Sequence, residues 1–183
     1  MIPCYVSGKG MFATDLTHDF KVRVIECLEA SGLGFDTRFR YYQAQFPGLE
    51  VAALARKICE PIEYYDRDWP AWRAAHRDED EETAVTRFFL ARDEGFRDRA
   101  RAAIYCFDEA GFGSGVNVMR FIHGGTPVLG FYHAGAGGRR INIGNVLQLA
   151  LEYPGRVRLW PYHSLDEVAA RVVDWLKHGC RCS

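Results

Sequence analysis

The sequence predicts one α/β domain of three layers, with helices on both faces of a mainly parallel sheet of about five strands. Short apolar stretches alternate with longer stretches whose apolar residues recur at helical spacing, which is typical of a parallel sheet. The 183 residues suffice for one domain with a substantial core, and two full domains are not expected. Hydrophobic residues form 48% of the chain, which excludes wholesale disorder. We therefore interpret residues 1–183 as a single domain.

The element boundaries follow from apolar spacing and from capping residues. Strands are predicted at 3–7, 35–42, 102–107, 127–132 and 156–160. A first helix is predicted to start at Thr17 and to stop at Gly32 or Gly34, because these residue types cap helix ends. Ser164 and Glu167 form a capping box for the last helix. Further helices are predicted near 49–58, 83–101, 119–122 and 145–153.

Charge and cysteine usage exclude several classes of protein. The net charge of −1 gives no electrostatic basis for nucleic-acid binding. No apolar run reaches the roughly 18 residues of a membrane helix, and the first residues carry no basic leader. We therefore expect a cytoplasmic protein that binds neither a membrane nor nucleic acid. Cys180 and Cys182 lack metal-site spacing, so we expect no metal and no cofactor.

The segment 92–128 carries the strongest functional signal. An apolar run ends at Asp108, the glycine-rich stretch 111–117 follows, and a helix then leads to the next apolar run. Glycines let the backbone approach a ligand closely, and the N–H groups at a helix start attract phosphate or carboxylate. Since ligands bind at the carboxyl edge of parallel strands, we predict a ligand site there.

The order of these motifs resembles the nucleoside 2-deoxyribosyltransferase family, a flavodoxin-like group within the Rossmann-like α/β folds. The resemblance covers residues 3 to about 127, apart from an insertion at about 61–82 that we interpret as irregular or as short helices. It comprises the strand and loop 5–12, the pair Arg92-Asp93, Asp108 and the turn 125–128. It implies a nucleoside, nucleotide or sugar phosphate as ligand, cleavage or transfer of an N-glycosidic bond, and oligomers whose subunits help to close each site.

Two positions depart from the family pattern. Gly113 stands where the family has an aspartate, and Met119 stands where it has the nucleophilic glutamate. A family member attacks the anomeric carbon with a carboxylate, which a thioether cannot replace, and residues 114–125 contain no acid. Two hypotheses remain open. One is a hydrolase or glycosyltransferase that works without this glutamate, and the other is a non-catalytic binding or sensing module.

Three acids are candidate catalytic residues. Asp93 either holds a ligand hydroxyl or serves as a base, or it is an ordinary surface residue of its helix. Asp108 either contacts the ligand or forms an Asx-type turn into the glycine loop. Glu109 either supplies the missing carboxylate or is simply solvated.

Candidate ligand-binding residues come from the ends of three strands. Lys9 suits a phosphate as a point charge, and His133 is the one histidine at a strand end, where an acid or base is useful. The arginines 139 and 140 form an anion clamp or are solvated, and the aromatic residues at 64, 65, 69 and 72 stack on a base or belong to the core. The predicted set is Tyr5, Ser7, Gly8, Lys9, Gly113, Ser114, Gly115, Asn117 and His133.

Two segments suggest self-association. Residues 61–72 and 141–145 carry apolar groups without a periodicity that would place them in the core. Such groups form a surface patch for a partner, or they fold back over the sheet edge of a monomer. A homodimer is the commonest closed arrangement, so we predict a homodimer or a higher homo-oligomer.

Overall fold

A computed structural model describes residues 1–9, 14–59, 61–135 and 143–180. Its sheet has five strands, all parallel, in the order β2-β1-β3-β4-β5. This strand order defines a flavodoxin-like doubly wound sheet and confirms the predicted three-layer α/β/α class. The strands are β1 (Ile2–Ser7), β2 (Gly34–Asp36), β3 (Ala102–Cys106), β4 (Val128–His133) and β5 (Val157–Tyr162).

Eight helices lie in the described part of the chain. The side chains of Asp80 and Ser164 accept hydrogen bonds from backbone N–H groups of the following first turn and so fix two helix starts. The helices are α1 (Asp15–Ser31), α2 (Thr37–Gln43), α3 (Val51–Cys59), α4 (Pro61–Ala75), α5 (Glu81–Arg97), α6 (Phe112–His123), α7 (Ile143–Glu152) and α8 (Leu165–His178). None of these helices is long and apolar enough to cross a membrane.

The alternation of side chains along the strands divides the core between the two sheet faces. On one face, Phe20 of α1 packs against Phe131 and Tyr162. On the opposite face, Phe121 of α6 packs against Tyr5 and Tyr105. Helices therefore cover both faces, as a sheet of buried parallel strands requires.

Three sequence predictions need correction. The second strand ends at Asp36, and residues 37–43 form helix α2, because the buried Asp36 carboxylate caps the N–H groups of Arg38 and Phe39. The first helix begins at Asp15, so Thr17 is not its N-cap and is instead buried in its first turn. The segment 61–82 is not irregular, because α4 runs from Pro61 to Ala75 with Pro70 inside it.

Several helix boundaries also move. Helix α5 ends at Arg97 rather than at 101, since Ala100 and Arg101 lead directly into β3. Helix α6 begins at Phe112, within the glycine-rich stretch, so the glycines form its first turns rather than a separate loop. Gly32 ends α1 in the left-handed conformation, with a φ of 65°.

Candidate functional site

The strand order reverses between β1 and β3, and a cavity opens at the carboxyl ends of these two strands. Such a switch point is the usual ligand site of an open α/β sheet. The cavity has a volume of about 560 Å³, within the range of roughly 300–1,000 Å³ that small-molecule sites occupy. It is lined by the end of β1, the first turns of α6 and side chains from α1, α2, α3 and α5.

Buried Asp36 positions segments of β1 and α2 that line this cavity. One carboxylate oxygen accepts a hydrogen bond from the backbone N of Val6 at 2.8 Å, and the other caps α2. The cap directs Arg38 back over β1, where its guanidinium donates to the carbonyl of Val6 and stacks on the Tyr5 ring at 4.8 Å. Asp36, at the end of β2, therefore places the guanidinium of Arg38 at the site.

Positive charge dominates the cavity lining. Lys21 of α1 is 2% exposed, and its Nζ donates to the carbonyl of Lys9 at 2.6 Å. Asp93 is the one acid among the described lining residues, and the Nε of Arg92 lies 3.7 Å from its carboxylate. The four lining cations are Lys9, Lys21, Arg38 and Arg92. The cavity therefore suits an anion.

The side of the cavity formed by α3 and α5 is mostly apolar, although Arg92 of α5 also lies there, with its guanidinium 5.0 Å from the centroid of the Phe89 ring. The apolar wall consists of five hydrophobic side chains from α3 and α5, namely Ile58, Val85, Phe89, Leu90 and Phe96. Tyr5 and Tyr42 complete it, and burial is the main cause that raises the pKa of each to about 12. The charge of the Asp93 carboxylate raises the pKa of Tyr5 further. Both tyrosines are therefore neutral hydrogen-bonding groups at neutral pH.

The first turns of α6 line the cavity beside the loop that follows β1. Gly111, Gly113, Ser114 and Asn117 line it. The hydroxyl of Ser114 donates to the carbonyl of Gly8 at 3.4 Å, which ties this helix to the loop after β1. No acid lies in the first turn of α6, and the N–H groups of a first turn have no partner within their helix. The helix start therefore adds to the positive potential of the cavity.

Asp108 and His133 lie outside the lining of the cavity. Asp108 points toward β4 and β5, where its carboxylate accepts hydrogen bonds from the backbone N of His133 at 2.6 Å and from the hydroxyl of Tyr162 at 2.5 Å. The hydroxyl remains protonated because burial raises the pKa of Tyr162 far above its ordinary value. The His133 ring packs edge-on against Tyr162. Asp108 therefore links the carboxyl ends of β3, β4 and β5.

Glu109 also lies outside the cavity lining, at the start of α1. Its carboxylate accepts hydrogen bonds from the N–H and hydroxyl of Thr14 and from the hydroxyl of Thr17, at 2.6 to 2.9 Å. Burial raises its pKa, but these hydrogen bonds and the charge of Lys9 outweigh that effect and lower it overall. An ionised carboxylate with three donors serves as a helix cap and is a poor proton donor.

The structure thus brings together eight of the twelve predicted site residues. Those that line the cavity are Tyr5, Ser7, Gly8, Lys9, Asp93, Gly113, Ser114 and Asn117, and those that do not are Asp108, Glu109, Gly115 and His133. Trp69 and Trp72 do not line it either, and both pack edge-on against Phe88. The arginines 139 and 140, Cys182 and the side chains of Tyr64 and Tyr65 lie outside the described part of the chain.

Sequence reasoning missed three residues that shape the cavity. Lys21 was not considered because it lies on a helix, and Arg38 because it lies in a segment that was predicted as a strand; only the tertiary fold brings the two residues to the cavity. Asp36 was missed because the residues around it were interpreted as one long strand. An acid followed by buried residues at helical spacing, Phe39 and Tyr42, was the available signal for a capped helix.

Neither a metal site within the described residues nor a known sequence relative indicates the function. In the described residues, no three His, Cys, Asp or Glu side chains come together in a way that could hold a metal ion. No model of a known protein family matches the chain. No curated protein sequence matches it significantly either. The function must therefore be argued from the geometry of the cavity.

Proposed function

We propose that the protein binds a nucleoside or, preferentially, a nucleotide in the cavity between β1 and β3. The observation that carries this proposal is the division of the cavity into a cationic side and an apolar side. A nucleotide has the matching division, because its phosphate is anionic and its base is flat and largely apolar on both faces. The resemblance of the motifs to the nucleoside 2-deoxyribosyltransferase family supports the same class of ligand.

The cationic side is suited to the phosphate. Lys9 and the first turn of α6 meet there, so a phosphate would receive a point charge together with backbone N–H groups. Lys21 and Arg38 add positive charge from behind. A sugar phosphate without a base would bind to the cationic residues but would leave the apolar wall exposed to water.

The apolar side is suited to the base. Phe89 and Phe96 contribute aromatic surface, each with an arginine guanidinium over its ring, and Ile58, Val85 and Leu90 contribute aliphatic surface. Stacking and apolar contact bind a base without selecting its identity, since every base has a π face. The Tyr5 and Tyr42 hydroxyls are neutral and could receive or donate hydrogen bonds at the ribose or the base edge.

Calorimetry tests the proposal with a panel of nucleoside 5′-monophosphates in ribo and 2′-deoxy forms. The matching nucleosides and inorganic phosphate are measured for comparison. We expect at least one monophosphate to bind more tightly than its nucleoside. Lys9→Ala should reduce that affinity, whereas Lys177→Ala, on the exposed last turn of α8, should leave it unchanged. Absence of binding by every compound would contradict the proposal.

A second candidate is cleavage of an N-glycosidic bond, and the placement of Asp93 favours it. Among the described lining residues, Asp93 is the only carboxylate. In a hydrolase it would accept the proton of a water that attacks the anomeric carbon, while the base leaves. Asp108 and Glu109 are held by other donors and are less suited to this role.

An assay for the release of free base, measured by chromatography, distinguishes an enzyme from a non-catalytic binding module. If the protein is a hydrolase, Asp93→Asn should abolish release while nucleotide binding persists. Asp98→Asn, at the exposed end of the same helix, is the matched control and should retain release. Binding without any base release would support the non-catalytic module.

A further inference from the structure

Arg97 is a buried cation without an ion pair. The residue is 7% exposed, and within the described residues no carboxylate forms a salt bridge with it. Its Nη1 donates to the Oδ1 of Asn117 at 2.9 Å, and its Nη2 is buried without a hydrogen-bond partner. A buried guanidinium with so few partners is costly, so its position calls for a reason beyond stability.

The bond from Arg97 fixes which way the Asn117 amide points. A guanidinium has only donors, so the amide oxygen must face Arg97 and the amide nitrogen must face away from it. Asn117 lines the cavity, and no described residue accepts a hydrogen bond from its Nδ2. The nitrogen is therefore available to a ligand, and it can only donate.

We propose that Arg97 is a positioning residue that makes Asn117 a dedicated hydrogen-bond donor to an anionic oxygen of the ligand. This inference rests on the proposed nucleotide site and identifies what that site selects. An amide held by a buried cation is polarised, so it donates more strongly. A phosphate or carboxylate oxygen accepts such a bond, whereas a group that only donates is left without a partner.

The variant Asn117→Asp tests this directly. It keeps an oxygen for Arg97 and gives this cation an ion pair, so the fold should be as stable as the wild type or more stable. It also replaces the donor with a negative oxygen, so affinity for the best-binding 5′-monophosphate should fall about tenfold or more, the loss expected for one hydrogen bond to a charged group. Affinity for the matching nucleoside should fall much less.

Variants of Arg97 separate positioning from simple packing. Arg97→Met removes the donor and should weaken monophosphate binding, and Arg97→Lys should restore part of it because a lysine can still donate to Oδ1. Arg101→Met, at an exposed position four residues on, should change nothing. In the wild type, the Asn117 side-chain NH₂ signal, assigned by its loss in Asn117→Asp, should shift when the monophosphate is added.

The outcomes are distinct. If the wild type binds no nucleotide or nucleoside, the proposed function fails and this inference fails with it. If the wild type binds but Asn117→Asp binds the monophosphate equally well, only the inference about Asn117 is wrong. An equal loss of nucleoside and monophosphate would also overturn it, because the donor would then not act on the anionic group. Should Arg97→Met fail to fold, Asn117→Asp and the NH₂ signal still decide.

Discussion

Gly113→Ala should raise the stability of the protein and lower its affinity for ligand. Gly113 is the second residue of α6 and has no positive φ, and a Cβ built on it meets no other atom within 4 Å. Replacing such a glycine with alanine stabilises a fold by about 0.4–1 kcal/mol, mainly by restricting the unfolded chain. For a domain of this size the midpoint of thermal unfolding should rise by roughly 1–4 °C.

The effect on binding should have the opposite sign, because the new methyl group would stand in the cavity. If a phosphate binds at the N–H groups of α6 as proposed, this methyl group would push it away from them. Each hydrogen bond that a charged oxygen loses costs about 1.5–3 kcal/mol, so the affinity for a 5′-monophosphate should fall by about tenfold or more. Thermal unfolding without ligand and calorimetry with ligand measure the two effects separately.

Gly115→Ala is the matched control. Gly115 lies in the same helix, and a Cβ on it also meets no atom within 4 Å, but Gly115 does not line the cavity. It should show the gain in stability without the loss of affinity. If Gly113→Ala binds ligand as the wild type does, or if both variants lose affinity equally, the assignment of the phosphate side is wrong.

Three further predictions concern residues outside the cavity. Asp108→Asn should lower the free energy of unfolding in urea by about 1–3 kcal/mol, because an amide cannot accept from both His133 N and Tyr162, while ligand affinity stays unchanged. Because the pKa of Glu109 is lowered, its carboxylate stabilises the fold above the ordinary pKa of 4.5, and this stabilisation is lost as the pH falls through the lowered pKa. The variant Glu109→Gln should therefore lose less stability in acid than the wild type does. The predicted homodimer should scatter light with twice the mass of 20.8 kDa, and a constant 20.8 kDa at all micromolar concentrations would contradict it.

The sequence was sufficient for the architecture because apolar periodicity reports burial directly. It failed at Asp36, where Phe35, Thr37 and Phe39 alternate like a strand although the chain has already turned into α2. The same residues fit helical spacing equally well over so short a stretch, since Phe39 and Tyr42 are three positions apart and both buried. Only the hydrogen bonds of the Asp36 carboxylate distinguish the two conformations.

The candidate site was predictable only where it lies on strand ends. The glycine-rich stretch and Lys9 reach the cavity because parallel strands end at one edge of the sheet. The direction of Asp108 was not predictable, because it depends on the register that brings Tyr162 opposite His133. Arg97 carried no signal either, since a helix-end arginine usually faces water and here becomes buried only through the packing of α5 near α6.

The position of β1 between β2 and β3 has a consequence for how the protein is made. In the sheet, Cys4 pairs with Ala102, so the strand that is synthesised early waits for a partner about a hundred residues later. Ribosomes add roughly 5–20 residues per second, so the wait lasts about 5–20 s. β2 follows about thirty residues after β1 and can cover one of its edges, but the other edge stays open during this time and can pair with other chains. Nascent-chain folding should therefore be delayed until β3 has left the ribosome, and the cavity at the ends of β1 and β3 forms only then.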